Sequence, residues 1–139
     1  MRVSHIVTRP LITIAAGSTV LDAAKLMVEK NIGLLVIVQG TKLVGVISER
    51  DIIRTIASGQ TLSGPVDEVC TKQVVTVQGS SDVAEAAKAM NKNRIRHVVV
   101  VDDKRQPIGV VSMRDLVGER GTLTAILQSN EKEVFHGGD

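Results

Sequence analysis

The sequence predicts an α/β fold, α+β-like in its short strands and hairpins, made of two β-α-β-β-α units. Three observations carry that expectation. The stretch Gly45-Val46-Ile47-Ser48-Glu49-Arg50-Asp51 returns as Gly109-Val110-Val111-Ser112-Met113-Arg114-Asp115. At a shift of 63 residues, positions 3–38 meet 66–101 with twelve identities in 36: Val3, Thr8, Thr13, Ser18, Val20, Ala23, Ala24, Lys25, Met27, Ile32, Val36 and Val38. β-Branched runs also alternate with apolar residues at helical spacing, as strands interleaved with helices do. After Val38 and Val101 the shift becomes 64, because the second turn carries one more residue. The chain is a tandem duplication, so each element can be read twice.

In order, Val3 to Val7 and Val66 to Cys70 are short lead segments. Leu11 to Ile14 and Val74 to Val77 read as strands, β-branched and flanked by polar residues or Gly. A helix follows in each copy, with capping-box spacing at Thr19-Val20-Leu21-Asp22 and at Asp82-Val83-Ala84-Glu85. Its inner face is Val20, Ala23, Ala24 and Met27, repeated as Val83, Ala86, Ala87 and Met90. Ile32 to Val38 and Ile95 to Val101 are near-continuous aliphatic runs, which fits strands buried on both faces. Turns at Gln39 to Lys42 and Asp102 to Pro107 fold each run back into a hairpin, through Leu43–Ile47 and Ile108–Val111. A second helix opens at Ser48 and at Ser112. Gly118 and Gly121 weaken the last helix before Leu123, Ile126 and Leu127 resume its stripe. The divisions are repeat 1 over 1–64, repeat 2 over 65–128 and a polar tail over 129–139. A repeat of about 60 residues buries too little to stand alone. The two repeats are therefore expected to share a sheet and a helix layer, and to form a homodimer.

Composition narrows the function. Of 139 residues 43% are apolar, yet no run approaches the roughly 18 apolar residues that cross a bilayer, and the amino terminus lacks signal-peptide features. A soluble, cytoplasmic protein is expected. The net charge is +2 with both signs interspersed, and Phe135 is the sole aromatic, which argues against nucleic acid. Cys70 is alone and three histidines are scattered, so neither a disulfide nor a metal site is expected. Nucleophile elbows, phosphate loops and zinc-protease motifs are all missing, and no enzyme is expected.

The Ser-x-x-Asp of each motif has two readings. It is the spacing of a capping box. It also places a hydroxyl, a guanidinium and a carboxylate at a helix N-terminus, which suits a phosphate and a sugar diol. Because the motif recurs at equivalent places, both readings can describe one device.

These residues resemble the cystathionine β-synthase (CBS) domain, and the chain resembles a stand-alone tandem CBS pair (a Bateman module) over roughly residues 3–127. The specific marks are Gly45–Asp51, Gly109–Asp115 and Ile95-Arg96-His97-Val98-Val99-Val100-Val101-Asp102. Val36 and Val99 stand where many members have Pro, and Cys70 where many have Met; neither position carries ligand chemistry. The resemblance implies two repeats packed with pseudo-two-fold symmetry and clefts for adenosyl compounds. AMP, ADP or ATP are the usual ligands, S-adenosylmethionine in some members. Asp51 and Asp115 would accept from the ribose hydroxyls, and Ser48 and Ser112 would meet phosphate. Arg50 and Arg114 would add charge, or stand as solvated surface residues. By the same resemblance, Asp115 works with Thr8, Ile12, Gly33 and Leu34, and Asp51 with Thr71, Val75, Arg96 and His97, the basic Arg96-His97 pair being able to serve either cleft. Ile12 and Val75 would supply apolar surface to adenine. His97 reads equally as a packed histidine opening a strand. The implied function is a nucleotide sensor that signals to a separate effector protein; the alternatives are a ligand-free dimeric scaffold and, less favoured, a nucleic-acid binder.

Overall fold

The computed structural model describes residues 1–7 and 10–118. Thr8, the stripe at Leu123, Ile126 and Leu127, and the tail over 129–139 lie outside the described residues. The chain divides into two compact units, one of residues 12–74 and one joining residues 1–11 to the chain from 75 onward.

In the 12–74 unit, β1 (Thr13–Ala15) lies parallel to β2 (Leu34–Gln39), and α1 (Val20–Lys30) makes the crossover between them. A short turn returns β2 antiparallel into β3 (Lys42–Ser48), which runs into α2 (Glu49–Ala57). The other unit repeats this with β4 (Thr76–Gln78), α3 (Val83–Asn93), β5 (His97–Val101), β6 (Pro107–Ser112) and α4, described over Met113–Gly118. Both hairpins carry a register shift at matching places, Ile37/Val38 and Val100/Val101.

Each repeat forms its own three-stranded sheet, ordered β1-β2-β3 and β4-β5-β6. The expectation of one shared sheet is thus corrected. A crossover helix and a tight hairpin supply each repeat's three-stranded pairing locally. What the repeats trade instead is their lead segments. Val3–His5, a single 3-10 turn, belongs to the unit built by the second repeat, where the Val3 amide donates to the Ser81 carbonyl (2.8 Å) and that of Ser4 to Gly79 (2.9 Å). Its counterpart Val66–Glu68 belongs to the first repeat's unit, with the Val66 amide donating to the Ser18 carbonyl at 2.8 Å.

The cores follow from this trade. Val3 is fully buried with Val83, Ala86, Ala87 and Met90 against Val98 and Val100. Val66 is fully buried with Val20, Ala23 and Met27 against Leu35 and Ile37. Burying one such valine contributes about 1.5–3 kcal/mol toward holding its segment in place. The linker also completes α1, since Val20 and Leu21 donate their amides to the carbonyls of Gly64 and Leu62, each at 2.9 Å.

Helix ends are settled locally. Thr19 and Asp22 form the reciprocal box expected of them. Asp82 and Glu85 do not: the short Asp82 side chain takes the nearer amide of Ala84 at 2.9 Å. α1 and α3 both end in a left-handed residue, Asn31 and Arg94, each with φ 54°. No helix among the described residues is long and apolar enough to cross a membrane.

Candidate functional site

The β3–α2 junction of the 12–74 unit is built by reciprocal hydrogen bonds. The Asp51 amide donates to Ser48 Oγ at 3.2 Å, while Asp51 Oδ2 accepts from the Ser48 amide at 2.8 Å and from the Ser48 hydroxyl at 3.0 Å. The capping-box reading is therefore correct. Asp51 is only 8% exposed, a carboxylate held close to the protein by these bonds. Its other oxygen, Oδ1, faces the guanidinium of Arg54, whose Nη1 is 3.5 Å away.

Gly33 and Leu34 meet this junction from the start of β2. Leu34 pairs with Ser48 in the ladder, and the Glu49 amide donates to the Gly33 carbonyl at 3.0 Å. The Glu49 carboxylate lies against Gly33, with Oε1 2.9 Å from where a β-carbon would sit. Thr71 reaches the same end of β3, exchanging two backbone hydrogen bonds with Val46 at 2.9 and 3.0 Å. Ile12 is half-buried on the unit's core, and Arg50 is exposed.

The β6–α4 junction of the other unit repeats this construction. Asp115 Oδ2 accepts from the Ser112 amide at 2.8 Å, and the Asp115 amide donates to Ser112 Oγ at 3.1 Å. His97 pairs with Ser112, and the Met113 amide donates to the Arg96 carbonyl at 2.7 Å. Val75 accepts from the Val99 amide at 3.1 Å and is half-buried on the core. Arg96 and Arg114 are exposed, His97 half-buried.

Within the 12–74 unit the structure thus gathers Gly33, Leu34, Ser48, Asp51 and Thr71 around one strand end. Within the other it gathers Arg96, His97, Ser112 and Asp115. The repeats differ in charge here. Glu49 beside Gly33 gives way to Met113 beside Arg96, and Arg54, one turn beyond the motif, corresponds to Gly118. Sequence reasoning did not single out Glu49 or Arg54. Both are legible once the copies are aligned at the 64-residue shift, Arg54 standing three residues beyond Asp51 on a helix.

The glycines that open the motifs are also explained. A β-carbon on Gly45 would lie 2.7 Å from the Thr71 carbonyl oxygen and 3.1 Å from Cys70 Sγ. On Gly109 it would collide with Val7 Cγ1. Each glycine makes room for a lead segment crossing the hairpin. Cys70 is half-buried beside Gly45, and burial raises its thiol pKa, which suits packing rather than nucleophilic chemistry. Among the described residues no cluster of His, Cys, Asp and Glu could hold a metal ion.

Known proteins share this construction. The chain is similar to a CBS domain protein from Pyrobaculum aerophilum solved in complex with AMP, at 33% identity and a TM-score of 0.89, covering 92% of this chain and 99% of that one. It is similar to the CBS domain pair of protein MJ0100, in complex with 5′-methylthioadenosine and S-adenosyl-L-methionine, at 33% identity and a TM-score of 0.80, covering 87% and 96%. An uncharacterised 17.7 kDa protein of Acidianus ambivalens is 35% identical over 83% of this chain and 70% of its own length. The chain spans smaller shares, 43% and 22%, of two longer relatives from Methanocaldococcus jannaschii. The CBS domain family model matches twice, at residues 3–58 and 66–121, one match per repeat. With a Ser/Asp box at the same junction in both matched segments, this chain belongs to the CBS domain family and is a tandem pair of its domains.

Proposed function

We propose that this CBS pair is a regulatory module that binds an adenosyl nucleotide and passes its occupancy to a separate effector protein in the cytoplasm. The observation that carries the reading is the likeness, across 92% of the chain, to a protein solved with AMP. The chemistry at each junction supports it. A carboxylate next to a helix start suits a ribose diol, and the N-terminus of α2 suits phosphate. AMP, ADP and ATP are the first candidates; S-adenosylmethionine is the next, being bound by the MJ0100 pair. Occupancy transmits a signal only by favouring one arrangement of the protein over another.

The residues assigned to ligand are Ile12, Gly33, Leu34, Ser48, Arg50, Asp51 and Thr71 in the one unit and Val75, Arg96, His97, Ser112, Arg114 and Asp115 in the other, with Thr8. The two sites are unequal, given the cationic Arg96-His97 pair where the first repeat has Gly33-Leu34. Exposed Ile53 and Val117 occupy equivalent positions in the two repeats, which favours association of two copies as a homodimer.

A thermal-shift screen of AMP, ADP, ATP and S-adenosylmethionine tests the reading, repeated with Asp51→Ala and Asp115→Ala. A rise in melting temperature that at least one variant loses supports it. No rise with any ligand, from a nucleotide-free preparation, removes it in favour of a ligand-free scaffold. Such a preparation is easily recognised: without Trp or Tyr the protein hardly absorbs at 280 nm, so adenine would dominate near 260 nm.

A further inference from the structure

We infer that Arg54 is an affinity-setting residue of the first repeat, an internal competitor that occupies the Asp51 carboxylate until a ligand displaces it. The inference rests on the proposed function, since it assigns a ribose diol to Asp51. Asp51 Oδ2 is committed to the Ser48 amide and hydroxyl, at 2.8 and 3.0 Å. A diol entering at this carboxylate must therefore engage Oδ1, and there Arg54 Nη1 already stands 3.5 Å away. Arg54 is placed by its position on α2, three residues after Asp51 and one turn deeper than the helix start. Phosphate is expected at the helix start, so a displaced Arg54 exchanges its carboxylate for water and gains no phosphate. Its side chain is 70% exposed against 9% for Asp51, so release is sterically open and its cost is that of a solvent-screened pair.

The second repeat provides the internal control. Its equivalent position is Gly118, which has no side chain to set beside Asp115. Among the described residues, a β-carbon on Gly118 meets nothing within 4 Å, so an arginine can be placed there without displacing packing. At the position three residues beyond the carboxylate, the two matching boxes thus differ by one removable cation.

The test is calorimetric titration with AMP. In an Asp115→Ala background, adding Arg54→Ala should tighten the remaining site roughly two- to five-fold, the range of an exposed ion pair. Gly118→Arg in the otherwise unaltered chain should weaken the Asp115 site by a similar factor. AMP binding that Asp51→Ala abolishes in this background, but that Arg54→Ala leaves unchanged or weakens, overturns the inference and leaves the proposed function standing. AMP binding that is absent from the parent, or that survives in the Asp51→Ala/Asp115→Ala double variant, overturns both.

Discussion

The carbonyl oxygen of Thr71 lies 2.7 Å from where a β-carbon on Gly45 would project, and the Thr71 backbone is pinned there by two hydrogen bonds to Val46. A backbone atom cannot swing aside as a side-chain tip can. Gly45→Ala should therefore part the Thr71 segment from β3 and lower stability by about 1–3 kcal/mol, the usual cost of overpacking. Gly109→Ala should act in the same direction by pressing on the stiff Val7 side chain. Gly64→Ala, where a β-carbon meets nothing, is the matched control and should move the urea midpoint little.

Ser48 and Ser112 cap their helices by accepting from the Asp51 and Asp115 amides. Ser48→Ala and Ser112→Ala should each cost about 1 kcal/mol in urea unfolding of the nucleotide-free protein. Asp51→Ala breaks the same box, so binding to that variant is best compared well below its melting temperature. A Ser48→Ala protein as stable as the parent would show that the box contributes nothing to the fold.

Arg94 closes α3 with φ 54°, a conformation that costs an ordinary side chain about 1–2 kcal/mol. The first repeat uses Asn at the equivalent position, Asn31, with the same φ. Arg94→Asn should recover part of that cost and raise stability by roughly 0.5 kcal/mol, visible as a higher melting temperature. Asn31→Arg should lower it.

Asp82 supplies a prediction about pH. The bond from the Ala84 amide favours its ionised form and holds its carboxyl below the ordinary 3.8. The depressed folded value means that its stabilisation is fully present above 3.8 and is lost as pH falls through the folded value. Asp82→Asn keeps a capping oxygen but removes the titration. The variant should be less stable than the parent at pH 6, and the gap should narrow as pH falls below 3.8.

Much of this was legible in the sequence because duplication let each local signal be checked against its copy. The helices, the hairpins and the Ser/Asp boxes all follow from spacing alone. What failed depended on distance rather than pattern. Leu11-Ile12 looks like strand, but the ladder starts at Thr13 and Ile12 packs on the core instead. Asp82-Val83-Ala84-Glu85 has box spacing, yet Asp82 takes a nearer amide. The trade of lead segments left no periodic trace, because Val3 and Val66 are the same residue and either core would accept either one. Without that trade, the reason for Gly45 and Gly109 could not be read either. Arg54 escaped notice because its partner is a helix neighbour that a motif search treats as already explained.

The traded lead segments also set an order of events during synthesis. Residues 12–74 hold every part of their unit, so all of its internal contacts are available while the ribosome is still making the rest. Residues 1–7 can dock only once Ser81, Gly79 and the α3 face that buries Val3 have been made, more than 70 residues downstream. Until then Val3 and Ile6 are exposed, apolar and without a place to go. A nascent chain stalled before α3 would thus carry Val3 and Ile6 as a sticky, unclaimed segment ahead of residues 12–74.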